Sequence, residues 1–317
     1  MLPLWIFTEG DLQRGMGHIS RCCAYAHAWK QRGGDVYWII DGDSCTQNFI
    51  QNEKITWICW QDNPALVNKK NGFALVDSYY ASLPVLKRIS DNFSGTIYLD
   101  DTFRLNYPRG LVIHSIPDQK PDDFIDAKWL IGIEWQPLRA AFWNAAAKKQ
   151  ASDDIRNILI IMGATDIRKL TDRIFKLVIS IYPNSHIHIV SNNQDEPIYK
   201  KCTIYKNIND IDMSQLMCQC DLAISSAGQT MFELAKCGLP SLLVCVIDNQ
   251  KKQFEWSQKN NLFPNGIYWN DPFFDNKMVE QLTKMASPIY RKSISNNAQL
   301  LIDGQGVKKL ISLITGS

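Results

Sequence analysis

His18 is the first residue in the chain whose type and setting suit it to chemistry, because it stands directly behind Gly15-Met16-Gly17. Gly15 and Gly17 permit a tight turn and close backbone approach to a ligand. Leu4–Phe7 reads as a strand. His18–Arg32 reads as a helix with Ile19, Cys22, Cys23, Ala26 and Trp29 on one face. The histidine therefore opens a helix, where unsatisfied amides favour an anion and the dipole disfavours imidazolium. A neutral imidazole is what a general base needs near neutral pH. A histidine that merely caps the helix is the other reading. Arg21, one turn on, could bind a phosphate or be a solvated surface residue, and the surface reading is favoured. The turn is not a dinucleotide fingerprint, since the third glycine is missing.

The second half carries three polar loops, each between an apolar strand and a helix. Leu222–Ser225 runs into Ser226-Ala227-Gly228-Gln229-Thr230 and then Met231-Phe232-Glu233-Leu234-Ala235. Small residues at such a turn let backbone amides approach a diphosphate, and Glu233 stands one turn on, where a carboxylate can grip ribose hydroxyls. An ordinary helix start with an acidic early turn fits the same residues. Met162-Gly163-Ala164-Thr165-Asp166 and Asp248-Asn249-Gln250 are the other two loops. Either could be a plain turn, but the three together point to a nucleotide pocket.

Short apolar runs alternate with helical stretches to either side of these loops. In the first half the strand candidates are Leu4–Phe7, Val36–Ile40, Ile55–Trp60, Phe73–Val76, Thr96–Leu99, Leu111–Ile113 and Trp129–Ile131. Asn144–Asp154 has no core residue larger than Ala and reads as a linker. Ile158–Met162, Ile187–Val190, Thr203–Tyr205, Leu222–Ser225 and Leu242–Ile247 form the second series, and Val307–Ile314 reads as a last helix. Such runs suit parallel strands covered on both faces. The expectation is an α/β chain of two doubly wound domains, residues 1–148 and 149–317, with ligands at strand carboxyl ends and in the cleft between domains. The last helix is expected to pack back on the first domain.

At 317 residues the chain is long enough for two domains at roughly 100–200 residues each. The balance of 34 basic and 32 acidic residues gives a net charge of +2, without the basic excess of non-specific nucleic-acid binding. Met1–Phe7 is too short an apolar run for a secretory signal, and Leu239–Ile247 is too short to span a bilayer. Nine irregularly spaced cysteines suit a reducing compartment. A cytoplasmic monomer without nucleic-acid partner or stable membrane insertion is expected. His186 and His188 could begin a zinc site but have no second pair, so no metal is expected. Trp57, Trp60, Trp129, Trp135 and Trp143 read mainly as core.

Several pieces, taken in order, resemble a known family. They are Gly15-Met16-Gly17-His18-Ile19-Ser20-Arg21-Cys22, Val76-Asp77-Ser78-Tyr79, Asp100-Asp101, Pro137-Leu138-Arg139-Ala140-Ala141-Phe142, Met162–Asp166, Ser225–Glu233, Asn249-Gln250 and Asp303-Gly304-Gln305-Gly306. The family is the UDP-sugar hydrolases of pseudaminic acid biosynthesis, UDP-2,4-diacetamido-2,4,6-trideoxy-β-L-altropyranose hydrolase, with related spore-coat polysaccharide proteins. The resemblance implies a GT-B fold, two Rossmann-like domains facing a central cleft. It implies metal-independent, cofactor-free cleavage of the anomeric C–O bond of a UDP-linked sugar by water, with inversion.

In that picture His18 activates the water. Tyr79 and Asn249 line the sugar site. Gly228, Gln229, Thr230 and Glu233 hold UDP, and Gly15, Gly17, Gly163, Thr165, Ser226 and Gln250 complete the substrate-binding set. The chain departs from the pattern at Phe7, where arginine is usual, at Ala164, where a second glycine is usual, and through Gly10–Arg14. An inverting GT-B glycosyltransferase with a UDP-sugar donor is the alternative, and a non-catalytic sugar-nucleotide sensor is a third reading.

Overall fold

The structure is a computed structural model that describes residues 1–11, 14–43, 50, 53–63, 70–145, 153–163, 166–191 and 201–316. Contacts divide the chain into two compact units, Met1–Ala140 with Gly304–Ser317, and Ala141–Asp303. Most of the linker read at Asn144–Asp154 lies outside the described residues.

The first unit is built on β1 (Leu4–Gly10), β2 (Val36–Gly42), β3 (Lys54–Trp57), β4 (Lys70–Asp77), β5 (Phe93–Leu99), β6 (Leu111–His114) and β7 (Lys128–Ile131). They form one parallel sheet in the order β3-β2-β1-β4-β5-β6-β7. Six of the seven residues of β1 are buried, as a strand covered on both faces requires. Winding runs outward from β1 through β2 and β3, then returns to β4 on the other side. The loops after β1 and β4 therefore leave the sheet in opposite directions and open a crevice at their carboxyl ends.

Helix α1 (Gly17–Gln31) follows β1 and buries Ile19, Cys22, Tyr25, Ala26 and Trp29. Cys23, expected on the same face, is only half-buried. Helix α2 (Leu83–Asn92) starts with Pro at its opening turn and leads straight into β5. Trp60 and Trp143 are in the core, while Trp57, Trp129 and Trp135 are half-buried.

The second unit repeats this winding. Its strands are β8 (Asn157–Ile161), β9 (His186–Val190), β10 (Cys202–Tyr205), β11 (Leu222–Ser226), β12 (Ser241–Cys245) and β13 (Ile267–Tyr268), in the parallel order β10-β9-β8-β11-β12-β13. The reversal here lies between β8 and β11. With only two residues, β13 is too short to show a pattern in sequence. The helices are α3 (Thr171–Ile181), α4 (Asp210–Gln219), α5 (Thr230–Lys236), α6 (Lys251–Lys259), α7 (Phe274–Met285) and α8 (Pro288–Leu301). Among the described residues no helix is long and apolar enough to cross a membrane.

The last helix, α9 (Gly306–Thr315), packs against α1 and the turn Ile133–Trp135 in the first unit. A Cβ at Gly306 would lie 2.6 Å from the Gln136 carbonyl oxygen and 2.6 Å from the Trp135 carbonyl carbon. These are backbone atoms and cannot swing aside, so close approach accounts for the glycine. Gly306→Ala should cost about 1–3 kcal/mol and lower Tm. An unchanged Tm would show that α9 docks elsewhere in solution.

Candidate active site

The crevice of the first sheet begins where β1 ends. Asp11 and Gly15 form an isolated bridge, and the Gly15 amide donates to the Asp11 carbonyl at 2.8 Å. Gly15 has a φ of +80°, which closes this turn without strain. Arg14 reaches Asp11 at 2.6 Å and Asp41, at the end of β2, at 3.0 Å. The turn is thus pinned before the helix starts, although residues 12 and 13 lie outside the described residues.

Met16 is the N-cap of α1, and no side chain caps the helix. His18, its second residue, does not act as a cap. Its Nδ1 lies 2.6 Å from Oδ1 of Asp77, the last residue of β4. Asp77 is fully buried. Burial by itself would push its carboxyl up, but Arg21 and His18 override this and hold it at about 2. A carboxylate only accepts hydrogen bonds, so the proton in the 2.6 Å contact sits on His18 Nδ1. In the neutral ring Nε2 is then the nitrogen with the free lone pair, and among the described residues it has no protein partner.

Arg21 is not the solvated surface residue that its place in the sequence indicates. Its side chain is 15% exposed and lies between two aspartates. Nε and Nη2 both donate to Asp77, the latter at 2.6 Å, and Nη1 donates to Asp101 at 3.1 Å. Burial opposes its charge, but the two carboxylates more than compensate and push its pKa up. Nη2 also lies 3.1 Å from His18 Nδ1, a close contact only, once that nitrogen carries the proton. His18 and Arg21 are three residues apart, so they share one helix face, and that face meets Asp77.

Tyr79 stands edge-on to His18, with ring centroids 4.5 Å apart at 81°. Its hydroxyl donates to both oxygens of Asp101, at 2.8 and 2.9 Å. Burial and Asp101 push the phenol up. Burial would raise the Asp101 carboxyl, but Arg21 and the Tyr79 hydroxyl bring it below its ordinary value. Glu9, also fully buried, accepts from Ser78 Oγ at 2.6 Å, the Tyr79 amide at 2.9 Å and Gln61 at 2.8 Å. It fixes the turn that carries Tyr79. Asp77 and Asp101 lie in segments that the family resemblance matches, but it leaves their roles unassigned, and Arg21 reads mainly as a surface residue. The three-residue spacing of His18 and Arg21 was a further signal.

A second cluster forms in the other unit at the reversal between β8 and β11. Gly163 has a φ of +95°, and a Cβ there would come 3.8 Å from Ser226 Oγ. A Cβ at Gly228 would come 3.5 Å from Gln250 Nε2 and 3.9 Å from Ser226 Oγ. Gln250 is buried and accepts from the Val246 amide at 3.1 Å. The structure therefore brings Gly163, Ser226, Gly228 and Gln250 together. Gln229 and Thr230 begin α5, and Glu233 is buried within it. Asn249 is exposed on the short turn after β12. Thr165 lies outside the described residues.

Asp166, in the same loop, accepts from the Leu170 and Thr171 amides at 2.9 Å each and so caps the start of α3. Arg168, not picked out from sequence, bonds the Val246 carbonyl at 3.0 Å and lies over the Trp269 ring at 4.0 Å. His186 pairs with Thr203, and His188 with Tyr205 and Asn157.

No family model matches the chain. It is 25% identical over 259 residues to the pseudaminic acid cytidylyltransferase and UDP-2,4-diacetamido-2,4,6-trideoxy-beta-L-altropyranose hydrolase of Helicobacter pylori, covering 80% of this chain and 47% of that protein. The match thus spans about half of that relative's length. The spore coat polysaccharide biosynthesis protein SpsG of Bacillus subtilis is 24% identical, over 98% of this chain and 96% of that one. The resemblance read from the motifs holds. Among solved structures, MurG of Acinetobacter baumannii superposes with a TM-score of 0.65 at 15% identity, covering 99% of this chain and all of that one. The fold is of the GT-B type.

The depressed carboxyl of Asp77 has a consequence for stability. The folded group holds its proton less readily than the unfolded one, at about 2 against an ordinary 3.8. Its contribution is complete above the unfolded value and is lost as pH falls toward the folded one. A shift of this size corresponds to at most about 2–3 kcal/mol. Asp77→Asn should flatten the fall of Tm between about pH 5 and pH 2.5. Parallel Tm profiles for the two proteins would refute the linkage.

Proposed function

We propose that the chain hydrolyses a UDP-linked amino or deoxy sugar, breaking the anomeric C–O bond to release UDP and the free sugar for surface-glycan synthesis of the pseudaminic acid kind. The observation that carries this reading is the Asp77–His18 pair at the reversal of the first sheet, with Nδ1 protonated and Nε2 open. The similarity to the Helicobacter pylori and Bacillus subtilis proteins supports the substrate class.

His18 Nε2 takes a proton from water as the water oxygen bonds to the anomeric carbon. The bond from that carbon to the β-phosphate oxygen breaks, and its electron pair leaves with UDP. Asp77 holds the ring in the required tautomer and stabilises the imidazolium, as the orienting carboxylate does in hydrolase triads. The proton then passes from His18 to solvent. The reading gives Tyr79 and Asn249 to the sugar and Gly15 and Gly17 to the approach to His18. Gly163, Thr165, Ser226, Gly228, Gln229, Thr230 and Gln250 take the nucleotide diphosphate, whose charge suits turn amides at a helix start. Glu233 takes the ribose. No metal or cofactor is called for, and the enzyme is taken as a cytoplasmic monomer.

The test is UDP release from UDP-2,4-diacetamido-2,4,6-trideoxy-β-L-altropyranose, in EDTA and without an acceptor. Release is expected in both conditions. His18→Ala should lower kcat by about 10²–10⁴-fold, with UDP affinity within about threefold of the parent. An undiminished rate in that variant would reject His18 as the base. UDP binding without release would reject hydrolysis and favour the glycosyltransferase alternative, in which His18 deprotonates an acceptor hydroxyl.

A further inference from the structure

Asp101 has no role in the reading above, yet the structure holds it in place from several directions. Asp100 Oδ1 accepts the amides of Thr102 at 2.6 Å and Phe103 at 2.9 Å, and its Oδ2 accepts the Arg104 amide at 2.9 Å. Phe103 is left-handed, with a φ of 55°, an uncommon conformation for a bulky side chain. Its ring stacks on His114 with centroids 3.8 Å apart. Arg104 Nη1 donates to the Ala81 carbonyl at 2.8 Å, tying this turn to the one that carries Tyr79. Backbone held in a sparsely populated region persists only where its surroundings over-determine it, and here that turn presents Asp101 to Tyr79 and Arg21.

The hydrogen-bond direction at Tyr79 follows. Asp101 is a carboxylate that only accepts, so the Tyr79 hydroxyl proton is committed to it. Any further partner of the Tyr79 oxygen must donate. Resting on the hydrolytic reading, we propose that Asp101 is a positioning residue: it fixes the Tyr79 hydroxyl as an acceptor, so that Tyr79 and His18 Nε2 together receive the two O–H bonds of the attacking water. With both protons directed, a water oxygen lone pair faces the anomeric carbon. Without Asp101 the Tyr79 hydroxyl can turn and donate to the same water, which removes that constraint.

The experiment is a double-mutant cycle on UDP release, with Tm and UDP affinity measured for every variant. Asp101→Ala, which removes the acceptor, and Tyr79→Phe should each lower kcat by about 10–100-fold, the scale of a misplaced reacting group. For Asp101→Ala, KM and UDP affinity should stay within about threefold. Adding Asp101→Ala to Tyr79→Phe should cost less than about a further threefold, because the two act through one hydrogen bond. Asp101→Asn and Asp101→Glu each keep an acceptor oxygen and should recover about tenfold of the loss. Multiplicative effects in the cycle, or a parental kcat in Asp101→Ala, would overturn the proposal and leave the hydrolytic reading standing. If Asp101→Ala does not fold, Asp101→Asn against Tyr79→Phe decides, and a rate no better than that of Tyr79→Phe counts against it. Absence of UDP release by the parent protein would overturn the hydrolytic reading and this proposal with it.

Discussion

A carboxylate sealed from water needs compensation, and that need organises the first unit. Removing an ionised carboxylate from solvent is expensive unless charges and hydrogen bonds replace the lost hydration. Asp77 is fully buried at the end of β4 and receives them from Arg21 and His18 of α1. A shift of α1 along the sheet would strand the charge, so the interaction sets the register between helix and strand. It also sets the histidine tautomer. Positioning of the helix and preparation of the base are one interaction seen from two sides.

Both units use the same device at a coarser scale. Each sheet winds outward on one side of its first strand and then resumes on the other, and each residue cluster sits at that reversal. His18 and Asp77 mark it in the first sheet, and Gly163 and Ser226 mark it in the second. A crevice at such a point needs no side chain to hollow it out, since the loops already diverge. That leaves small residues free to line it, as at Gly163, Ser226 and Gly228.

Much of this was legible in the sequence because it is local. Strands covered on both faces leave continuous apolar runs, so β1, β4, β8 and β11 stand out. A glycine-bounded turn before a helix showed where His18 would be. What stayed hidden depends on distant partners. Arg21 reads as a surface residue because nothing near it in sequence announces Asp77, more than fifty residues away, and Asp101 is further still. Asp166 looked like part of a nucleotide loop, but its carboxylate caps α3. Glu9 does not stand out in the sequence, because its three donors come from two other segments. Exposure was equally hard to read: Asn249 and Gln250 are neighbours, one exposed and the other buried.

The first unit is interrupted in sequence by the second. Helix α9 belongs with Met1–Ala140, and its residues Ser312 and Thr315 receive hydrogen bonds from Arg32 at the end of α1. Ala141–Asp303 is continuous and can complete its contacts as it emerges during synthesis. The first unit must wait for α9 with the flank of α1 uncovered, including the groove beside Gly306. For the time needed to translate the intervening segment, the half of the molecule made first is the half still incomplete, and order of synthesis and order of completion run opposite to each other.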